Sequence, residues 1–571
     1  MCEQHIGDGR DMNYRRFDGM VIVGARDADP KLAQRIAVCL AAAICCLLGT
    51  AMAPRRALAQ DGSLTIWSRQ RGDPAYVAYQ VFDADVDEAG LSRHITWASP
   101  ELRDDVLDVL DDAGYGQWLD KAHPGPGQRE HAQNAAEFIG GSVGRDEQSQ
   151  AGSHKPSRSL LISLARSLEA DERIKAVSLV AGREAIVPQG QWIVFSNSES
   201  STDVAHSAPL WVTVGTEPAS VNEKADIPTL EKQVRDPSDD VWKKAATVHA
   251  GQVCSFRIIG TLPSNLSAYE HFPYCVTDQL PAGCRLSLAK DGRLEGAVIV
   301  SIGGKEIKPD GTHLVVSYEK RTLTVLFADL ADTYWDDFGL APDKNVLITY
   351  SATLTRGASS AQTGNVNNAT LSYSNDPLHQ SLVRTGETKS CLLTHTLTLQ
   401  KRDARSKSPL AGARFSIQRE GSGSKATKQA YVQADGSLGS KPHIFVTGKD
   451  GTLTIRGIGQ GSYRIVEETA PSGYRKSNEP IKLAIAASVD AQTSCRTELT
   501  ARTSSEVATV ESVDAKEGTI TLAITNESDE QPPDETTVER LAQTGVCPIA
   551  ASLAGVGLLL IALSLAAERR R

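Results

Sequence analysis

Gly140-Gly141-Ser142-Val143-Gly144 has the G-x-S-x-G spacing of a hydrolytic nucleophile. A nucleophile elbow needs a strand before the serine and a helix after it. Here helical periodicity precedes, and residues 141–158, rich in Gly, Ser and Gln, predict a polar loop. A secreted hydrolase is therefore the remotest of the functions weighed. No C-x-x-C, H-E-x-x-H or phosphate-cradling glycine loop occurs, so no metal, nucleotide or other cofactor is expected. Arg71-Gly72-Asp73 matches an integrin-binding triplet, but a triplet of this kind arises readily by chance. Of the ten cysteines, Cys254, Cys275, Cys284, Cys391 and Cys495 lie in the body of the chain. Five is odd and sparse, which argues against a disulfide framework.

These residues sit in a chain of 571, too long for one hydrophobic core and enough for roughly three to five globular units. Lys and Arg total 60 against 70 Asp and Glu, a net charge of −10. That balance excludes a broad basic surface for nucleic acid. A hydrophobic fraction of 40% excludes wholesale disorder and a polytopic membrane protein.

The two ends predict export and anchoring. Residues 36–53, IAVCLAAAICCLLGTAMA, follow Lys31 and Arg35 and end in small residues, the plan of a secretory signal. Cleavage is expected after Ala53 or Ala59, with translation starting at Met12 or Met20. An uncleaved anchor is the competing reading. At the other end, Leu541-Ala542-Gln543-Thr544-Gly545 precedes an apolar run from Val546 to Ala567 and then Glu568-Arg569-Arg570-Arg571. The run is long enough to cross about 30 Å of hydrocarbon as a helix, with its arginines held on the cytoplasmic side. Motif, span and basic tail in this order resemble the cell-wall sorting signal of Gram-positive surface proteins. The resemblance implies that a sortase cleaves Thr544–Gly545 and passes the threonine carboxyl to an amine on peptidoglycan or on another pilin subunit. Ala542 stands where the usual motif has proline.

Between the ends the chain reads as mainly β. Segments such as SLTIW (63–67), QWIVFS (191–196), LWVTVG (210–215), THLVVSYE (312–319), TLTVLFADL (322–330) and GTITLAIT (518–525) alternate apolar and polar residues between turn formers. That pattern predicts strands of sandwiches or barrels in tandem. Helical periodicity is confined to the first third, at 100–114 and 129–141. The organisation expected is a signal region over 1–59, an N-terminal domain with some helix over 60–222, a middle domain over 223–390, a last sandwich over 391–528, a stalk over 529–540 and the sorting signal over 541–571.

The last sandwich carries a specific resemblance. LTLQKRD (397–403), PLAGARFSI (409–417), KDGTLTIRGIGQGSYRIVEETAPSGY (449–474) and AITNES (523–528) resemble the B-type domain of collagen adhesins and SpaA-type pilins, with an Ig-like or prealbumin-like fold. By position Lys401 matches the family lysine, Asn526 its asparagine and Glu467 its acid, with Glu468 as the neighbouring carboxylate. The middle segment resembles the fimbrial isopeptide-formation domain through IPTLEKQV (227–234), YCVTDQLPAG (274–283), ITYSATL (348–354) and GNVNNATLSYSNDP (364–377). There Lys232, Asp278 and Asn375 match lysine, acid and asparagine. The N-terminal globule resembles the opening domain of the same pilins and is assigned no internal bond.

What the resemblance implies is a self-directed reaction rather than an enzyme. A lysine amine joins an asparagine carboxamide with loss of ammonia. Burial lowers a lysine pKa toward the neutral, attacking form and favours the protonated form of a nearby carboxyl, which can shuttle protons. The implied function is a fimbrial subunit, structural and adhesive, anchored to the cell wall. The alternative is a monomeric anchored adhesin for host matrix or glycan. No Tyr-Pro-Lys acceptor motif follows the first domain; Lys224 occupies the corresponding junction. Cys391 and Cys495 flank the last sandwich, and their pairing after export is an open expectation.

Overall fold

The computed structural model describes residues 61–529, except 69, 71–73, 150–158, 198–204, 224, 226, 339, 341, 342, 380, 422–429 and 491–494. The signal region, Arg71-Gly72-Asp73, Lys224, the sorting motif and the terminal apolar run lie outside the described residues. Among the described residues, no helix is long and apolar enough to cross a membrane.

The N-terminal region pairs a three-stranded and a five-stranded sheet with a helical layer. Strand Asp61–Trp67 lies between Ala185–Pro188, antiparallel, and Ala219–Asn222, parallel. The first helix, Pro100–Asp112, is set by its sequence. The Ser99 side chain caps it by accepting from the Leu102 N–H, and Pro100 opens it. Leu102, Val106, Leu107 and Leu110 recur at helical spacing and bury against the five-stranded sheet's Val81 and Phe82. One sequence expectation changes here. Residues expected to form a loop from 141 continue a helix, Ala132–Ser149. The G-x-S-x-G run thus lies within one helix and forms no strand-to-helix elbow.

The middle region is a sandwich of two seven-stranded sheets. Strict alternation builds it: along Val346–Leu354 every second residue is buried, as it is along Tyr274–Gln279 up to Asp278. Phe256, Ile258 and Tyr350 from one sheet meet Val276, Leu323 and Leu371 from the other in a single core. A helix, Leu330–Phe338, interrupts the segment read as strand up to 330; the strand itself ends at Phe327. Asp329 stops it, because its carboxylate accepts from the Asp332 N–H and caps the helix that follows.

Strand Thr388–Leu393 closes the middle sheet, and His395–Asp403 opens the last sandwich. That sandwich faces a four-stranded sheet, Thr452–Ile458, His395–Asp403, Thr519–Asn526 and Ala508–Asp514, against a seven-stranded one. Its first and last strands are parallel neighbours, with Lys401 opposite Ile524 and Asp403 opposite Asn526.

Two hydrogen-bonded joints link these regions. At the first, Leu378, in the loop after strand Asn365–Ser374, buries among the N-terminal helices, and Arg166 Nε donates to its carbonyl at 2.8 Å. His379 bridges Asp376 (2.9 Å) and Glu169 (2.6 Å) beside it. At the second, the Ala250 N–H donates to Gly457 O at 2.9 Å. Gly457 has φ +83°, and a Cβ there would meet Ala250 Cβ at 2.6 Å, so glycine permits the approach. Arg496, fully buried, donates to Ala515 O (2.8 Å), Ser360 O (2.9 Å) and Thr394 O (3.0 Å), and its backbone pairs with Gln362. Arg496→Ala would remove the side-chain donor to three carbonyls, the Thr394 one buried and the Ala515 and Ser360 ones partly so. It is expected to destabilise this joint by on the order of 3 kcal/mol. Faster amide exchange at Gln362 and Gly364 and a lower unfolding midpoint would register the loss; unchanged exchange would mean that the clasp contributes little.

Candidate functional site

Each of the two sandwiches buries a lysine on its first strand. In the last one, alternation along His395–Asp403 turns residues 397, 399, 401 and 403 inward, and along Thr519–Asn526 residues 520, 522, 524 and 526. Lys401 pairs with Ile524, so Asn526 is the next inward residue along the neighbouring strand. Two residues 125 apart in sequence are thereby held side by side. Glu467 comes across from the facing sheet, on strand Gly461–Thr469.

The three groups close a triangle. Lys401 Nζ donates to Asn526 Oδ1 in a short contact. Asn526 Nδ2 donates to Glu467 Oε1 at 2.9 Å, and the same oxygen lies 3.6 Å from Lys401 Nζ. The Ser477 N–H holds Glu467 Oε2 at 2.8 Å. Lys401 is 1% exposed and Glu467 3%. Glu468 points the other way, accepting from Ser416 Oγ at 2.6 Å, which separates the two neighbouring carboxylates. Burial pulls the Lys401 ammonium down to a pKa of about 8, against the opposing pull of Glu467. One carboxylate oxygen thus faces both the amine that would attack and the amide nitrogen that would leave.

The middle sandwich builds the same triangle from a different arrangement. Lys232, on strand Leu230–Arg235, and Tyr350, on Val346–Leu354, belong to one sheet. Asp278, on Tyr274–Gln279, belongs to the facing sheet, opposite Ala369 on strand Asn365–Ser374. Two residues from Ala369, on the same inward face, stands Asn367. Lys232 Nζ donates to Asp278 Oδ2 in a short contact and lies 2.9 Å from Tyr350 OH. The hydrogen-bond pattern assigns the Asn367 amide with its nitrogen toward Asp278 Oδ1 (2.5 Å) and Gln279 O (3.1 Å). Its oxygen then faces Tyr350 OH (2.7 Å) and Lys232 Nζ (3.3 Å). Lys232 and Asp278 are fully buried, and the ammonium sits 5.5 Å from the Phe256 ring centroid and 5.2 Å from that of Tyr350. Burial again lowers the lysine pKa, opposed by the Asp278 charge.

The sequence-matched asparagine, Asn375, stands elsewhere. It lies just past the end of its strand, six residues beyond the one opposite Asp278, roughly 20 Å along an extended chain. Its side-chain oxygen accepts from Ser381 Oγ (2.8 Å), and its carbonyl accepts from the His206 N–H (2.8 Å) at the first joint. Asn367 is the carboxamide within reach of Lys232, and Tyr350 is a fourth member of the site. Neither was singled out from the sequence. The signal was there in part: Asn367 shares the inward parity of the buried Ala369, Leu371 and Tyr373. Cys391 faces Ala245 and Leu393 and directs its thiol to Thr363 O at 3.1 Å; it forms no disulfide with Cys495 in this structure. Among the described residues no cluster of three or more His, Cys, Asp or Glu could hold a metal.

Comparison with known proteins falls on this geometry. Residues 395–498 match the family described as SpaA, a prealbumin-like fold domain. Over 279 residues the chain is 24% identical to the trypsin-resistant surface T6 protein of Streptococcus pyogenes serotype M6. That match takes in 46% of this chain and 46% of the relative, so the chain spans about half the length of the curated protein it matches. Among solved structures, the T6 backbone pilin of the same serotype aligns with 82% of this chain and 98% of its own, at 15% identity and a TM-score of 0.48. The Corynebacterium diphtheriae major pilin SpaA aligns with 82% of this chain and 100% of its own, at 14% identity and a TM-score of 0.40. Residues 395–498, which include Lys401 and Glu467, are thus similar to a SpaA prealbumin-like fold domain.

Proposed function

We propose that the chain is a cell-surface pilus subunit whose middle and last sandwiches each close an internal Lys–Asn isopeptide bond. The observation that supports this best is the repetition: a buried lysine, carboxyl and carboxamide in hydrogen-bond contact, built twice from different strands. The bonds are Lys401–Asn526, served by Glu467, and Lys232–Asn367, served by Asp278. In each, the neutral Nζ attacks the asparagine Cγ, the carboxyl group carries a proton from Nζ to Nδ2, and ammonia leaves. Each site turns over once, so the role is structural rather than enzymatic. An amide cannot be reduced, which suits a shaft under shear in an extracellular setting.

In the same reading the signal region directs export and a sortase cuts Thr544–Gly545. The threonine carboxyl then joins peptidoglycan or an amine of another subunit, and the acidic segment 529–540 serves as a stalk. Lys224 is the candidate acceptor at the junction of the first and middle regions. Denaturing gels of wall extracts test the polymer. A ladder of high-molecular-weight species, lost in Lys224→Ala, is the expected result. A single band would favour the monomeric adhesin, the reading supported by the missing Tyr-Pro-Lys motif.

A further inference from the structure

We propose that Tyr350 is a catalytic residue of the middle site, relaying a proton from Asp278 to the Asn367 carbonyl oxygen while Lys232 attacks. The proposal rests on the isopeptide reading of that site. Tyr350 is positioned by its own strand. It lies opposite Phe256 in the sheet that carries Lys232, and its ring stacks on Phe256 with centroids 5.3 Å apart. This fixes the hydroxyl at the centre of the three reacting groups. It lies 2.5 Å from Asp278 Oδ2, 2.7 Å from the Asn367 oxygen and 2.9 Å from Lys232 Nζ.

A phenol has one proton and two acceptor lone pairs. With acceptors on both sides, Tyr350 can donate to the Asn367 oxygen only while Asp278 donates to Tyr350. The contact between Lys232 Nζ and Asp278 Oδ2 supplies that proton: transfer from ammonium to carboxylate leaves a neutral amine and a carboxylic acid. The sequence then balances. Nζ bonds to Cγ as the C=O pair moves onto oxygen. Oxygen takes the Tyr350 proton, and Tyr350 takes the Asp278 proton. In the collapse, Asp278 removes a proton from Nζ and delivers one to Nδ2 through Oδ1, which lies 2.5 Å from it. The Cγ–Nδ2 bond breaks, ammonia departs, the oxygen returns its proton to Tyr350, and Tyr350 returns one to Asp278, leaving Asp278 the carboxylic acid it was just before the attack. Burial, reinforced by Asp278, holds the phenol well above its ordinary pKa, so it stays a donor throughout. A preorganised donor at an oxygen where charge develops is the largest kind of contribution a side chain makes to acyl transfer. The last sandwich does without this relay. There Glu467 is braced by the Ser477 N–H, and the Asn526 oxygen accepts from Lys401.

The two sites share one chain, so each serves as the other's control. The full chain is made by cell-free translation, quenched at intervals and digested, and the two branched peptides are quantified. Tyr350→Phe is expected to slow the Lys232–Asn367 branch about 10²- to 10³-fold while the Lys401–Asn526 branch keeps its rate. An unchanged middle rate would overturn the relay. Absence of the middle branch in the unsubstituted chain would instead overturn the isopeptide reading beneath it. Protection of the amides in Tyr274–Gln279 and Asn365–Ser374 shows whether Tyr350→Phe folds. If it does not, 3-fluorotyrosine placed at 350 makes the phenol more acidic with little change of shape. A faster middle branch then supports the relay, and an unaltered one overturns it.

Discussion

Lys401→Met is expected to lower the stability of the last sandwich by on the order of 4–5 kcal/mol. The proposed bond would close a loop between residues 125 apart, and a cross-link of that span restricts the unfolded ensemble by about this amount. Methionine fills the same apolar volume and leaves no unpaired charge beside Glu467, so cavity and burial terms stay small. For a unit of this size the shift in midpoint is roughly 15–20 °C. Calorimetry of the substituted and unsubstituted chains reads it directly. Equal midpoints would mean that the strands of Lys401 and Asn526 are not covalently joined.

Asn367→Ala is expected to abolish the middle bond completely, while Asn375→Ala leaves it intact. Register decides between them. Asp278 lies opposite Ala369, which places Asn367 at the lysine and Asn375 beyond the end of the strand. Peptide mapping distinguishes the outcomes, since only Asn367→Ala should release Lys232 as an ordinary lysine. A branch that survives Asn367→Ala and disappears in Asn375→Ala would reverse the assignment.

The two bonds would act in different directions. Lys401 and Asn526 lie on adjacent parallel strands of one sheet, so their bond ties the first strand of the sandwich to its last. Tension entering at one end and leaving at the other then bypasses the ladder between them. Lys232 and Asn367 lie on facing sheets, so their bond ties one layer of the sandwich to the other. In that reading the clasp of Arg496 and the seat of Leu378 would continue the load path between regions without covalent chemistry.

Much of this was legible in the residues. Period-two alternation marked the strands, and the lysine, glutamate and asparagine of the last sandwich could be placed because their strand motifs stand intact. What escaped depends on tertiary register. Asn367 and Asn375 share parity on one strand run, and only pairing with Asp278 separates them. Tyr350 reads in sequence as an ordinary strand aromatic, and its role emerges only when the facing sheet is present. The helix Leu330–Phe338 hid behind the apolar run before it, with Asp329 and its cap as the local sign. The helix through Ser149 overrode glycines that weaken helical propensity.

In the proposed reading folding removes two molecules of ammonia from the chain. Intact mass of the purified protein, with its termini fixed by sequencing, tests this in one measurement. The expected mass lies about 34 Da below that of the unmodified chain, about 17 Da for each bond, with branched peptides joining Lys401 to Asn526 and Lys232 to Asn367. A mass equal to that of the unmodified chain, with both lysines recovered unbranched, would contradict it.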